Sequence, residues 1–202
     1  MKLIIYGCGG HARSIINTII ENGGRPDILI VDDNAKLNEK IMGVSVVRDY
    51  ILQKDNKYIV AVGNNEERKG IYDKLKYWPD GECISIVSHL SYIGKETDIG
   101  RGTFIASYAY VGPQVKIGSG TIINTGSIVE HETVVGNYSH IAPHATVCGR
   151  VRLGSNVFCG AGSTVIDHIS ICDNVMIGAG AVVVKDIMES GTYVGIPARK
   201  VS

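Results

Sequence analysis

The sequence predicts an α/β chain in which a small parallel sheet precedes a parallel β-helix. Three observations support this fold class. An aliphatic residue returns at every sixth position from Ile93 to Val183 without an insertion or a deletion. Glycine follows that residue in half of the units, and a strand, a glycine-rich loop and a helical pattern open the chain. A period of six fits neither a helix nor an alternating strand, but it is the hexapeptide signature of a parallel β-helix.

The six-residue repeat runs through small apolar side chains of the kind that proteins bury. Fifteen of the sixteen positions hold Ile, Val or Leu, and Cys159 holds the other. Glycine in the following position is typical of a corner whose backbone conformation penalises a Cβ. The alternative fold, a β-sandwich, predicts period-two alternation with irregular loops. The repeat positions are Ile93, Ile99, Ile105, Val111, Ile117, Ile123, Val129, Val135, Ile141, Val147, Leu153, Cys159, Val165, Ile171, Ile177 and Val183.

The composition argues against several classes of function. Lys and Arg number 20 and Asp and Glu number 20, which argues against nucleic acid or an anionic membrane surface as a partner. No apolar run could span a bilayer, and the N-terminus lacks the regions of a signal peptide, so we expect no membrane insertion and a cytoplasmic location. Five cysteines without a C-x-x-C pair argue against disulfides and zinc. We interpret Cys148, Cys159 and Cys172 as packing residues.

A nucleotide-binding pattern opens the chain. Residues 2–6 form a β-rich run that meets Gly7-Cys8-Gly9-Gly10-His11-Ala12 and then a helical pattern. A second strand, 28–31, ends at Asp32-Asp33. This is the G-x-G-x-x-A form of the dinucleotide fingerprint, in which glycines and a helix N-terminus approach phosphate and the acid binds ribose hydroxyls. The motif predicts a site for a nucleotide without specifying which one.

Two further strands complete the predicted N-terminal sheet. The third strand, 58–62, leads into Gly63-Asn64-Asn65 and a helix. A turn is predicted at 79–81 and a fourth strand at 83–87. We therefore expect a Rossmann-like sheet of about four parallel strands with right-handed crossovers. Such a unit is half of a full dinucleotide-binding domain, so it has room for one mononucleotide and little room for a nicotinamide.

The chain is accordingly predicted to contain two domains. Residues 1–87 would form the Rossmann-like nucleotide-binding domain and residues 88–202 the β-helix domain. The short connection between them predicts rigid packing. The open end of a solenoid must be capped, and the tail that follows Val183 could cap it.

In the middle of the solenoid, Asn124 and Glu130 occupy the position that glycine usually holds in the repeat. Local rules of this kind tend to be broken at functional sites. Imidazole titrates near working pH, and His131 lies between two carboxylates, so we predict His131 as a general base. A zinc site built from His131, His140 and His144 is the alternative, but their spacing places them on different sides of the coil, and we expect no metal. His89 and His168 are interpreted as structural or solvated. The residues that mark this region are Asn124, Glu130, His131, Glu132, His140 and His144.

Six motifs spread over nearly the whole chain point to one family. They are Tyr6-Gly7-Cys8-Gly9-Gly10-His11, Asp32-Asp33, Gly63-Asn64-Asn65, Ile123-Asn124-Thr125-Gly126-Ser127-Ile128-Val129-Glu130-His131-Glu132, Ser139-His140-Ile141-Ala142-Pro143 and Gly195-Ile196-Pro197-Ala198-Arg199. In combination they resemble the bacterial sugar acetyltransferases of the sialic acid O-acetyltransferase and UDP-N-acetylbacillosamine N-acetyltransferase type, which are hexapeptide-repeat acyltransferases. The combination is more specific than any single motif.

This resemblance implies a left-handed β-helix, a homotrimer with active sites between subunits, and acetyl-CoA as the acetyl donor. It implies His131 as the general base and Glu132 as the carboxylate that raises its basicity. His140 would lie at the thioester and Asn124 in the acceptor pocket. The residues implied around the nucleotide are Gly9, Gly10, His11, Asp32, Asp33 and Gly63. The backbone implied along the CoA groove is that near Ala161 and Gly178.

The implied chemistry is direct transfer in a ternary complex. Neutral His131 takes a proton from the acceptor amine as the amine attacks the thioester. Because neighbouring strand residues face opposite ways, Glu132 reaches the imidazole only at a bend, and Glu130 is the alternative for this role. The cation Lys185 could bind the phosphates of CoA.

Several functions remain open from the sequence. The leading hypothesis is N-acetylation of an amino sugar carried on UDP or dTDP. O-acetylation of a sialic acid or a related sugar is the alternative within the family, since the same base could serve both reactions. A non-catalytic nucleotide-binding β-helix scaffold is an alternative of another class. A nicotinamide-dependent enzyme is a further alternative, which the short first domain disfavours.

Overall fold

The computed structural model describes residues 2–24, 26–76 and 80–201. The turn expected at 79–81 lies partly outside the described residues. In this part of the chain, no helix combines the length and the apolar character that crossing a bilayer requires.

The N-terminal part is a sheet with one helix on each face. Its elements are β1 (Lys2–Tyr6), α1 (Gly10–Glu21), β2 (Asp27–Val31), β3 (Lys40–Ile41), β4 (Val44–Val47), β5 (Lys57–Val60), α2 (Asn65–Leu75) and β6 (Glu82–Cys83). The strands lie in the order β3-β4-β2-β1-β5-β6. All neighbours pair in parallel except β3 and β4, which are antiparallel.

The expectation of about four parallel strands in this sheet is wrong, because the β3–β4 hairpin was missed. Its turn consists of Met42 and Gly43, both in the left-handed region with φ of 49° and 82°. Two successive left-handed residues suit a tight hairpin, but Met-Gly is not one of the dipeptides that signal one. The strand predicted at 83–87 is also divided. Glu82–Cys83 joins β5, whereas Ile86–Val87 pairs with a solenoid strand.

The rest of the chain is a solenoid of short strands. They are β7 (Ile86–Val87), β8 (Tyr92–Ile93), β9 (Asp98–Ile99), β10 (Phe104–Ile105), β11 (Tyr110–Val111), β12 (Lys116–Ile117), β13 (Ile122–Ile123), β14 (Ile128–Val129), β15 (Val134–Val135), β16 (His140–Ile141), β17 (Thr146–Val147), β18 (Arg152–Leu153), β19 (Phe158–Cys159), β20 (Thr164–Val165), β21 (Ser170–Ile171), β22 (Val175–Ile177) and β23 (Val182–Val183). The tail adds β24 (Gly191–Val194) and β25 (Arg199–Lys200).

Successive solenoid strands belong in turn to three sheets, and the strands within each sheet are parallel. Sheet I contains β7, β10, β13, β16, β19 and β22; sheet II contains β8, β11, β14, β17, β20 and β23; sheet III contains β9, β12, β15, β18 and β21. Each strand pairs with the one a full coil later, as Phe104 does with Ile122. Three hexapeptides therefore make one coil. The corners between sheets are named I–II (such as 124–127), II–III (such as 130–133) and III–I (such as 136–139).

The repeat residues fill the interior of the triangular coil. Ile105, Ile123 and Ile141 stack above one another and are fully buried, as are their counterparts from the other two sheets. The first residue of each strand points outward, since successive side chains of a strand face opposite ways. At the far end, β24 extends sheet I beside β22, and Tyr193 and Ala198 of the tail pack against the last core residues.

The glycines that follow the repeat residues have a different role from the one expected. They do not adopt left-handed conformations. Left-handed φ instead occurs three positions after each core residue, once in every hexapeptide from Glu96 to Gly180. A Cβ on Gly100 would lie 2.5 Å from Ser119 N, and one on Gly112 would lie 2.7 Å from His131 N. These glycines are needed because successive coils approach too closely for a side chain.

The two parts of the chain contact each other through both helices. α1 packs on the outer face of sheet I, where Phe104 and Ile122 join its hydrophobic cluster. α2 lies over the III–I corner. The Tyr72 hydroxyl donates to Gly102 O at 3.0 Å, and Asn65 Nδ2 donates to Val157 O at 3.3 Å. The rigid packing predicted from the short connection is consistent with these contacts.

Arg68 on α2 is fully buried between the two parts. Its Nε donates to Gly120 O and its Nη2 to Tyr138 O, both at 2.7 Å. Its Nη1 donates to Val62 O at 3.0 Å and to Gly63 O at 3.1 Å. Burial lowers the pKa of Arg68 to about 10, so the guanidinium remains charged at neutral pH. Carbonyl dipoles from both parts satisfy this charge, and within the described ranges no carboxylate pairs with it.

Replacing a close-approach glycine should destabilise the solenoid. We expect Gly100→Ala to lower the free energy of unfolding by about 1–3 kcal/mol, because the methyl group meets backbone that no rotamer change can move. Gly70→Ala is the matched control: nothing lies within 4 Å of a Cβ there. In a helix interior that substitution should raise the stability by roughly 0.5–1 kcal/mol. Urea unfolding measures both, and equal effects would contradict the close-approach explanation.

Removing the buried guanidinium of Arg68 should weaken the contact between the N-terminal part and the solenoid. Arg68→Met leaves several buried carbonyls without a donor, and we expect a loss of about 3 kcal/mol or more in the free energy of unfolding. Lys69→Met, at the exposed neighbouring position, should change it by no more than about 0.5 kcal/mol. If Arg68→Met were as stable as Lys69→Met, the carbonyl contacts would contribute nothing to the stability of the protein.

Candidate active site

The predicted base lies at the II–III corner. His131 Nδ1 and Glu132 Oε2 are 3.0 Å apart, and the two side chains are 44% and 42% exposed. Glu132 has a left-handed φ of 59°. The chain therefore bends between the two residues, and the carboxylate reaches the imidazole of its neighbour. Of the two carboxylates that the sequence offered, the geometry brings Glu132 to the ring, and no described hydrogen bond joins Glu130 to it.

A glycine on the next coil makes room for this imidazole. The ring of His131 lies against Gly149, where a Cβ would be 2.7 Å from Nε2. Arg150, the next residue, places Nη2 2.9 Å from Glu132 Oε2. The hydrogen bond from His131, followed by the charge of Arg150, lowers the pKa of Glu132 against the opposing effect of desolvation. Sequence reasoning missed Arg150, although it lies one coil after Glu132.

A buried imidazole joins the solenoid to the glycine loop that follows β5. Asn124 Oδ1 accepts from Thr125 N at 2.8 Å, so its Nδ2 faces His140 Nε2 at 3.0 Å. His140 Nδ1 donates to Gly63 O at 3.3 Å. These contacts fit a neutral ring with its proton on Nδ1. Burial, and then the charge of Arg68, lower the pKa of His140 to about 4. The structure thus brings together Asn124, His140 and Gly63.

The N-terminus of α1 lies beside the same buried histidine. Gly9 caps the helix without a side-chain hydrogen bond, and the first turn has no acidic residue. His11 packs edge-on against Phe104, and its Nε2 is buried without a hydrogen-bond partner among the residues described. Burial, then His140 and Arg68, lower the pKa of His11 to about 3. Free N–H groups at a helix N-terminus and a buried ring nitrogen without a partner suit an anion.

The two glycine loops meet where the strand order reverses. β1 lies between β2 and β5, and ligands bind at such switch points beyond the carboxyl ends of the strands. Gly7 has φ of 104°, and a Cβ on it would lie 2.8 Å from Val62 Cγ2. Asp32 Oδ2 accepts from Cys8 N at 2.9 Å and so fixes the loop after β1. A cavity of about 750 Å³ opens here, lined by Gly7, Asp32, Asp33, Tyr50 and Lys74 among others.

Asp32 is held as a carboxylate by this arrangement. Burial raises its pKa, but hydrogen bonds from Asn34 and Cys8 outweigh burial, and the pKa lies below the ordinary value. Asp33 is exposed at the rim of the cavity. The predicted nucleotide residues therefore lie beyond the carboxyl ends of β1, β2 and β5, and the cavity beside Asp32 and Asp33 is also lined by residues of α2, such as Gly70 and Lys74.

The residues expected to contact CoA divide between two corners. Ala161 and Gly178 lie at the I–II corner, above Asn124. Gly162 and Gly180 at the same corner have left-handed φ and no atom within 4 Å of an added Cβ, so this edge is an open strip of backbone. Lys185 is exposed at the II–III corner, above His131. Within one chain, Lys185 therefore lies on a different edge from the strip.

Sheet II separates His131 from Asn124 and His140 in a single chain. His144 lies at the I–II corner with its ring against Gly126. The three histidines considered as zinc ligands are therefore distributed as the sequence suggested. The residues that the structure describes contain no group of three His, Cys, Asp or Glu side chains placed to hold a metal ion.

The chain is similar to known proteins over both of its parts. Residues 2–75 match the PglD N-terminal domain, and residues 96–131 match the bacterial transferase hexapeptide (six repeats). The acetyltransferase domain of PglB from Neisseria gonorrhoeae FA1090 is 26% identical with a TM-score of 0.93, and the match covers 99% of each chain. With its hexapeptide repeats and three rotating sheets, the solenoid is a left-handed β-helix.

For two other relatives, the match covers very different shares of the relative's own length. A histidine-to-asparagine variant of perosamine N-acetyltransferase from Caulobacter crescentus, solved in complex with CoA and GDP-perosamine, is 26% identical. Its TM-score is 0.92, and the match covers 100% of this chain and 97% of that one. Uncharacterized protein L142 of Acanthamoeba polyphaga mimivirus is 31% identical over 103 residues, which are 50% of this chain. The match spans 20% of the length of that curated relative.

The buried His140 should make stability depend on pH. Between its ordinary pKa and about 4, the unfolded chain binds a proton that the folded chain excludes, so stability should fall as the pH falls through this window. The loss should total roughly 3 kcal/mol. His140→Gln should remove this part of the pH dependence of urea unfolding between about pH 7 and about pH 4, whereas His168→Gln, at an exposed position, should keep it. An unchanged slope in His140→Gln would contradict the assignment.

Proposed function

We propose that this chain, which belongs to the hexapeptide-repeat sugar acetyltransferases with a PglD-type N-terminal domain, transfers the acetyl group of acetyl-CoA to an amino group on a nucleotide-linked sugar. One observation carries the proposal. His11 at the α1 N-terminus is buried without a partner and close enough to His140 for the two imidazoles to interact electrostatically, and His140 itself contacts Asn124 of the solenoid and Gly63 after β5. A diphosphate held at the helix would direct the attached sugar toward the solenoid.

The nucleotide would occupy the N-terminal part. In this proposal, the backbone of Gly9 and Gly10 and the ring of His11 bind the diphosphate, and Asp32 and Asp33 face the nucleoside in the cavity at the switch point. The sequence-based hypothesis names UDP or dTDP. The similarity to an enzyme solved with GDP-perosamine adds GDP to the nucleotides that need testing. We assign nucleotide-sugar binding to residues 1–87 and acetyl transfer to residues 88–202, with β7 of the first segment lying in sheet I.

The acetyl donor would lie along the I–II corner. The strip of backbone at Ala161 and Gly178 can accept the extended pantetheine arm, since side chains are small or absent there. The thioester would then reach Asn124 and His140 at the lower end of the strip. The structurally similar acetyltransferase domain of PglB has also been solved in complex with acetyl coenzyme A, and in that structure its sequence is 25% identical to this chain. Lys185 would meet this cosubstrate only from another subunit.

A homotrimer would complete the site. On the outer face of sheet I, α1 covers Phe104 and Ile122, and the outer face of sheet III carries the charged residues Asp98, Lys116 and Arg152. The outer face of sheet II is uncharged: Tyr92, Tyr110, Ile128, Thr146, Thr164 and Val182. Packing this face against a neighbouring copy would bring the II–III corner of one subunit, with His131, to the I–II corner of the next. The separation of His131 from His140 within one chain supports this assembly.

The mechanism follows from the protonation of the two imidazoles. Neutral His131, with Nδ1–H donated to Glu132, has a lone pair on Nε2 that takes a proton from the amine as nitrogen attacks the thioester carbon. The tetrahedral intermediate then expels the CoA thiolate, which receives that proton. His140 donates its only N–H to Gly63, so the second N–H of Asn124 or a backbone amide would hold the oxyanion.

A cytoplasmic location is proposed from the sequence alone.

The reaction can be tested directly. We expect release of CoA thiol from acetyl-CoA when the acceptor is a UDP-, dTDP- or GDP-linked amino sugar. His131→Ala should lower kcat by about 10²-fold or more, with the trimer retained in size-exclusion chromatography with light scattering. Glu130→Gln is the control for Glu132→Gln, and only the latter should impair transfer strongly.

The outcomes distinguish the remaining functions. Turnover of free sialic acid alone would support O-acetylation instead. Full transfer by His131→Ala would exclude that residue as the base. Nucleotide-sugar binding without any transfer would favour a non-catalytic scaffold.

A further inference from the structure

We infer that Arg150 is a positioning residue that holds Glu132 against His131 and so determines which ring nitrogen carries the proton. Its Nη2 lies 2.9 Å from Glu132 Oε2, and the same oxygen lies 3.0 Å from His131 Nδ1. One carboxylate oxygen therefore has two donors, one from its own corner and one from the next coil. The inference deepens the proposed function, because it concerns the base of that reaction.

The repeat places these groups together. Glu132 and Arg150 occupy equivalent positions of successive coils, each with φ of 59°. Arg150 N donates to His131 O at 3.0 Å, which ties the two corners at their backbones. Equivalent residues of adjacent coils lie about 4.8 Å apart and point the same way. A carboxylate and a guanidinium at equivalent positions of adjacent coils are therefore within contact distance because of the repeat alone.

Glu132 needs a second partner because it is partly exposed. A single contact between an exposed carboxylate and an imidazole is weak and does not fix a rotamer. A guanidinium on the same oxygen restricts the carboxylate to the side of the ring where Nδ1 lies. Arg150 is itself flanked by a second carboxylate on the next coil, since its charge contributes to the lowered pKa of Asp167, after the larger effect of His168.

The consequence for the base is its tautomer. With Nδ1–H donated to Glu132, the lone pair is on Nε2, which lies beside Gly149, where the absence of a side chain leaves room for an acceptor amine. The neutral histidine side chain in water prefers its proton on Nε2. Without Arg150, the carboxylate would leave Nδ1, and the ring would revert to the tautomer that cannot accept a proton at Nε2.

The test is made on the chain without substrate, so it is independent of the proposed reaction. The ¹⁵N chemical shifts of His131, assigned by comparison with His131→Gln, report the tautomer of the neutral ring. We expect the wild-type ring to carry its proton mainly on Nδ1, and Arg150→Met to shift it mainly to Nε2. Arg150→Lys should retain part of the wild-type ratio. Arg152→Met, two residues on and pointing outward from sheet III, is the control and should leave the ratio unchanged.

Two further measurements separate positioning from a structural effect. In a Glu132→Gln background, Arg150→Met should have no additional effect on the tautomer, since it acts through Glu132. With a nucleotide-linked amino sugar and acetyl-CoA, Arg150→Met should lower kcat about tenfold or more while KM changes less than about twofold.

A wild-type tautomer ratio in Arg150→Met would overturn the inference. So would a loss of Nδ1–H that occurs equally in Arg152→Met. If instead no sugar were acetylated by the wild type, the proposed function would fail while the tautomer result would stand.

Discussion

The guanidinium of Arg68 fixes the N-terminal sheet on the solenoid, and the arrangement of the candidate site residues between the two parts depends on it. Arg68 donates to carbonyls at the III–I corner and to Gly63, whose carbonyl also accepts from His140. One carbonyl thus joins the interdomain contact to the buried imidazole. The same positive charge helps keep His140 and His11 neutral. The residue that joins the two parts therefore also sets the electrostatic environment between them.

The solenoid was predictable from sequence because its geometry repeats. Each core position faces the same environment, so one residue type recurs, and the six-residue period predicts the coil without knowledge of distant contacts. The glycine role was misinterpreted because a close approach between coils and a left-handed conformation both select glycine. The hairpin at 40–47 was missed because its turn, Met42-Gly43, has no characteristic sequence, and its strands are too short to show alternation.

The candidate site was only partly predictable. Loop glycines, paired acids and histidines in a broken repeat have recognisable local patterns, so the sequence could propose Asp32, His131 and His140 as candidates. The assignment of Glu132 rather than Glu130 required the bend at the corner. The contact of His140 with Gly63 joins residues far apart in the chain, and the burial of Arg68 depends on how α2 packs. No local pattern in the sequence reports such contacts.

Every solenoid side chain has an orientation set by its place within the eighteen-residue coil. Loss of six residues would keep the aliphatic interior in phase, yet it would rotate every later side chain by one third of a turn, so that a residue of one edge would appear on the next. Only whole coils can be gained or lost without such rotation. The axial distance from Asn124 to Gly178, along which we propose that the acetyl donor binds, therefore changes only in steps of about 4.8 Å.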